Sequence, residues 1–144
     1  MAISQAMCTS FKVGILGGDF DFSSGTSQVF KIALYESTAT LGASTTAYTT
    51  SGEASGTGYS AGGETLTVSQ VPTSSGTTAF LSFSNVTWST ATITARGALI
   101  YLANGSTNPT VAVLDFGSDK TSTAGDFTIN FPTADASSAI IRIA

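Results

Sequence analysis

The sequence predicts an all-β domain, an antiparallel two-sheet sandwich of jelly-roll type with a short N-terminal helix. Three observations carry that expectation. Thr and Ser number 24 and 21 of the 144 residues and Gly adds 15. Thr favours a pleated, half-buried surface, and Ser and Gly favour turns. Apolar residues recur with a period of two in short runs, and turn residues separate those runs. The length suits one domain, 1–144, and 42% hydrophobic residues suffice for a sizeable core.

The N-terminal stretch 4–16 reads as the helix. Ser4 can cap it, Met7, Cys8, Phe11 and Ile15 fall at near-helical spacing, and Gly17-Gly18 stops it. Gly14 weakens its last turn. Such a segment either plugs an edge of the core or forms an arm that docks on a neighbouring subunit. The period then changes to two. In "QVFKIALY", Phe30, Ile32 and Leu34 share one face while Lys31, Ala33 and Tyr35 share the other. "ETLTVSQV", "TAFLSFSNVTW" (78–88), "ATITARGALIYLA" (91–103), "TVAVLDF" (110–116), "DFTINF" (126–131) and "AIIRI" (139–143) read as further strands. Gly97, inside the run 91–103, marks a bulge or a close backbone approach. Ser74-Ser75-Gly76, Asn104-Gly105, Gly117-Ser118-Asp119 and Pro132 supply the turns.

Between the first two strands lies a connection, 37–63, rich in Gly, Ser and Thr. So long a loop without structure is unusual, so a short strand near Thr45–Thr50 or an extended arm is expected. Five glycines fall between Gly52 and Gly63. They fit neither a phosphate loop nor a dinucleotide fingerprint: no Lys or Arg is near, the glycine spacing is wrong, and a strand follows instead of a helix. The glycines read as backbone freedom, for a connection that turns on its own domain or drapes over another.

Little chemistry is legible. The chain has no His, so the commonest general base and transition-metal ligand are missing. Cys8 is the single cysteine and forms no internal disulfide; a small buried apolar role is expected. No cofactor is expected, and the chain reads as non-enzymatic. The net charge is −4, the five cations are scattered, and no basic stripe for nucleic acid appears. No run approaches the roughly 18 apolar residues of a membrane span. The start lacks the basic and apolar regions of a signal peptide, so synthesis in a cytoplasm is expected. Asp19 with Asp21, and Asp115 with Asp119, are weak candidates for binding a divalent cation; turn formation by the same carboxylates is the simpler expectation. Arg96 sits in a neutral, apolar segment and needs a partner, either an internal aspartate or a neighbouring subunit. Met7, Phe11, Tyr48, Tyr59 and Arg96 are the candidate partner-contact residues.

Several stretches resemble small structural proteins of tailed-bacteriophage virions: "AISQAMCTSFK", "FKIALYESTATLGASTTAYTTSGEASGTGYSAGGETLT", "ITARGALIY", "VAVLDFGSDKTSTAGDFTINFP" and "AIIRIA". Together they cover well over half of the chain, in order. The resemblance implies a virion component made in a bacterial cytoplasm: a head decoration (cement) protein, or a tail-associated one. Its partners would be the major capsid protein or neighbouring virion proteins and its own copies, as a trimer or another symmetric oligomer. A different class of function is a carbohydrate-binding, receptor-recognising module, with Tyr35, Tyr48, Tyr59, Trp88 and Tyr101 as stacking platforms and aspartates holding calcium.

Overall fold

A computed structural model describes residues 2–144. The chain forms two antiparallel sheets and one short helix, α1 (Thr9–Gly17). The strands are β1 (Ala6–Met7), β2 (Phe30–Tyr35), β3 (Glu64–Thr65), β4 (Val68–Ser75), β5 (Thr78–Phe83), β6 (Val86–Leu102), β7 (Thr110–Ile129) and β8 (Ile141–Ile143). The larger sheet has the order β1-β7-β6-β2-β3 and the smaller one β4-β5-β8. The all-β, two-sheet expectation therefore holds.

The period-two reading of β2 matches the packing. Phe30, Ile32 and Leu34 enter the core between the two sheets, with Leu81, Phe83 and Ile141 of the smaller sheet, Phe11 of α1, and Phe22. Phe22 stacks on Phe30 with centroids 4.2 Å apart. Ala33 and Tyr35 enter a second core on the opposite face, with Ile3, Cys8, Ala39, Leu41, Leu99, Tyr101 and Val113. The middle of the larger sheet is thus buried on both faces, and β6 changes there from alternating to continuous burial. The cover on the second face is the connection 36–63 together with the N-terminal residues.

Several boundaries differ from the sequence reading. The helix does not begin at Ser4, whose backbone N–H donates to Leu41 O. Ile3 bridges Leu41, and Ala6–Met7 pair with Ala112–Val113, so the backbone is extended up to Cys8. Cys8 caps the helix without a side-chain hydrogen bond, and Gly18 closes it at φ 75°. Sheet pairing outweighs the weak helical pattern of four apolar positions.

The runs 78–88 and 91–103 also divide elsewhere. The break falls at Ser84-Asn85, where Asn85 Oδ1 accepts from Phe131 N–H. Ser89-Thr90 is instead a bulge inside β6. Thr90 (φ 49°) and Ala124 (φ 46°) flank the Ala91–Gly125 pair. The irregularity is held by Ser122 Oγ donating to Ala91 O and by Ala124 N–H donating to Thr92 Oγ1.

Gly117-Ser118-Asp119 is no chain-reversing turn. It is an excursion within β7, since Ala95 and Gly97 pair with Lys120 and Asp115. Both alternatives expected of Gly97 are found together: it lies at a register shift, and a Cβ there would stand 2.5 Å from Leu114 O. The strand expected near Thr45–Thr50 reduces to one bridge, Ala47 with Pro109, flanked by hydrogen bonds at Thr46 and Tyr48.

Candidate functional site

The connection carries a concentrated group of ionisable side chains. Glu53 is the only charged residue between Glu36 and Glu64. Its Oε2 accepts from the Tyr48 hydroxyl at 2.6 Å. Its Oε1 accepts from the Tyr59 hydroxyl and from Gly62 N–H, both at 2.7 Å. Tyr59 Oη in turn accepts from Leu34 N–H at 2.9 Å, which ties the connection to β2. Tyr101 Oη donates to Gly62 O at 2.8 Å, and Tyr35 Oη donates to Thr49 O at 2.6 Å. Tyr48 stacks on Tyr101 with centroids 4.7 Å apart. All four tyrosines of the chain therefore converge on one glutamate and the backbone around it.

The backbone reaches this position because of its glycines. Gly63 has φ 73°, and a Cβ there would lie 1.8 Å from Ile32 O. At Gly56 (φ 137°) it would lie 2.0 Å from Thr92 O. Thr92 N–H donates to Thr57 O, so the Gly56–Gly58 stretch covers the edge of β6 that β2 leaves open. An unpaired sheet edge is a template for unwanted pairing, and a covering loop removes it. The glycines supply close approach and left-handed geometry, with no ligand needed to explain them.

The electrostatics suit a structural lock. Burial, then the nearby Glu53 charge, pushes the Tyr101 phenol up to about 12. Burial, followed by Glu53, also raises Tyr35 well above the usual phenol value. Burial and the hydrogen bonds to Glu53 raise Tyr48 and Tyr59 likewise. Each phenol stays a neutral donor across physiological pH. None is activated as a nucleophile or base, and the hydroxyls are committed to bonds within the fold.

The remaining candidates lie apart from this cluster. Asp21 Oδ1 accepts from Ser23 N–H at 2.9 Å, and hydrogen bonds from Ser23 hold its carboxyl below the ordinary range. Asp115 Oδ1 accepts from Gly117 N–H at 2.8 Å, where it shapes the β7 excursion. Asp119 Oδ1 accepts from Arg96 Nε at 2.8 Å, so the internal partner is the one Arg96 takes. Asp19 joins its neighbours through its backbone carbonyl, which accepts from Gln28 Nε2. Among the described residues, no three acidic or Cys side chains converge as a metal-holding group.

Of the partner-contact candidates, Phe11 is buried in the core and Met7 is half-buried in β1. Tyr48 and Tyr59 spend their hydroxyls on Glu53. Phe11 therefore offers no surface in this conformation, and only Arg96 keeps a well-exposed polar group, with 37% of its side chain accessible. Of the five aromatic residues named as stacking platforms, Tyr35, Tyr101 and Trp88 are internal, and Tyr48 and Tyr59 are half-covered. Glu53 was missed as an organising residue. The available signal was its isolation in a charge-free run, with a tyrosine five residues before it and another six after. Compared with known proteins, the chain matches no family model, no curated protein and no solved structure.

Proposed function

We propose that the chain is a non-enzymatic structural protein of a phage virion, acting as a capsid decoration protein between the major capsid protein and its own copies. The observation that carries this reading is the solvent face of the β6–β7 hairpin. Thr87 and Thr128 pair their hydroxyls at 2.9 Å, and Thr94 and Thr121 at 3.1 Å, on an exposed face. Neutral hydroxyls already bonded to each other cost little to desolvate, so such a face suits repeated contacts with large neighbours. The sealed connection supports the same reading, because a rigid block transmits load between contacts without unfolding. The resemblance to virion structural proteins supplies the setting.

The test is to locate the chain by cryo-electron microscopy in particles of the phage that encodes it. Density repeated over the head lattice is expected. Density confined to the tail overturns decoration and assigns a tail-associated role; absence from the particle overturns the structural reading altogether.

A further inference from the structure

Helix α1 leaves large apolar side chains on its outer face. Phe11 enters the core, Gly14 lies against the Phe20 ring, Ile15 leans toward a surface groove, and Val13 and Leu16 face solvent. Leu16 is 93% exposed. Lys12 is the helix's only charged residue and shares a face with Leu16, one turn away. A surface helix normally shows a polar outer face, but here Thr9 and Lys12 share that face with the exposed Val13 and Leu16. As it stands, α1 is a ridge lacking its cover.

The cover fits from beside it. Next to the ridge runs a groove of about 370 Å³ lined by Ile15, Phe20, Asp21, Val71, Phe80 and Ile143. Ile15, Val71 and Ile143 are among the exposed large apolar side chains. The face is also complementary in charge to itself. The only ion pair among the described residues is Arg96 with Asp119, which leaves Lys12 on the ridge and Asp21 on the groove wall without partners of opposite charge.

We infer that this face is a two-fold interface between two copies of the chain. Leu16 of each helix enters the other's groove, and each Lys12 meets the other's Asp21. Ridge and groove lie side by side on one surface, so the same patch serves both partners and the assembly closes at two. Seating a helix ridge in a groove is the ordinary geometry of helix packing. The inference deepens the decoration reading by naming the surface through which copies meet. It fails separately, because it is tested on the free chain and particle location is tested by imaging.

Sedimentation of the full chain over the micromolar range tests it. A monomer–dimer equilibrium is expected. Leu16→Lys removes two buried leucines per dimer and raises the dissociation constant by about two orders of magnitude. Its thermal midpoint in the monomer stays unchanged, since Leu16 supports no core contact. Lys12→Asp weakens association, and adding Asp21→Lys to it restores part of the loss. A chain that stays monomeric overturns the inference, and binding to purified capsid protein that Leu16→Lys abolishes would then assign the face to that partner. A Leu16→Lys variant that dimerises as well as the parent also overturns it. A double charge reversal that dimerises no better than Lys12→Asp refutes the Lys12–Asp21 contact.

Discussion

Replacing Glu53 with Ala removes the acceptor for three donors at once: the Tyr48 and Tyr59 hydroxyls and Gly62 N–H. Hydrogen bonds to a charged group contribute about 1.5–3 kcal/mol each. Glu53 is itself half-buried, so water reaches part of the vacated space, and the carboxylate's own desolvation cost disappears. About 1 kcal/mol per donor is therefore the better figure, or about 3 kcal/mol in all. For a domain of this size that corresponds to a fall of roughly 10 °C in Tm. The chain's one tryptophan, Trp88, is buried at 2% exposure, so its emission reports unfolding. Urea titration followed at Trp88 gives the free energy, and calorimetry gives Tm. Glu53→Gln keeps one acceptor but turns an amide toward the remaining donor, so it should fall between the parent and Glu53→Ala. An unchanged midpoint in Glu53→Ala would refute the lock, as would Glu53→Gln being the more damaging change.

Further outcomes follow from the same geometry. Gly63→Ala should cost about 3 kcal/mol or more, because it combines a left-handed residue with a backbone collision, whereas Gly76→Ala, at φ 58° with open space around it, should cost about 1 kcal/mol; equal effects in thermal melts would contradict the close-approach account. Tyr35 and Tyr101 hold their protons more tightly folded than unfolded, so their stabilisation is complete below pH 10 and is lost as pH rises beyond it. With both side chains buried, stability should fall by about 2 kcal/mol per pH unit on average between pH 10 and 12. Phenolate absorbance should then rise together with loss of the β-sheet circular dichroism, and independent titration near pH 10 in an intact fold would count against the burial argument. Arg96→Ala should cost under about 1 kcal/mol, since its ion pair with Asp119 is solvent-exposed; a large loss in urea titration would mean the pair is more than a surface contact.

The parts of the fold legible in the sequence are those whose signal is local. The two faces of β2 follow from strict alternation, and the helix stop follows from a glycine able to adopt φ 75°. The helix start was not legible, because extended pairing of Ile3 with Leu41 and of Ala6 with Val113 involves partners far along the chain. The same holds for β6 and β7. Ser89-Thr90 falls between two expected strands and Gly117 looks like a turn residue, yet the long hairpin absorbs both, the first through cross-strand bonds at Ala91 and Thr92 and the second through the Asp115–Gly117 bond within β7. The length of the connection alone argues against a structureless loop, and its glycines mark it as bending. That it folds back on its own domain depends on Glu53 binding Tyr48 and Tyr59 of the connection while Tyr35 of β2 and Tyr101 of β6 bind its backbone carbonyls, a convergence that only the tertiary structure makes. Among the candidate aspartates, turn formation at Asp21 and Asp115 was legible because the hydrogen bond spans two residues.

The Gly-rich connection belongs to the folded block in the free chain. Hydrogen exchange of the isolated protein measures this residue by residue. Ala54, whose N–H donates to Leu34 O, Gly62, bound to Glu53, and Leu66, bound to Phe30 O, should be protected to nearly the level of Ile32 and Leu99. Exchange of Ala54 and Gly62 at the rate of an unstructured peptide, with Ile32 and Leu99 still protected, would contradict it.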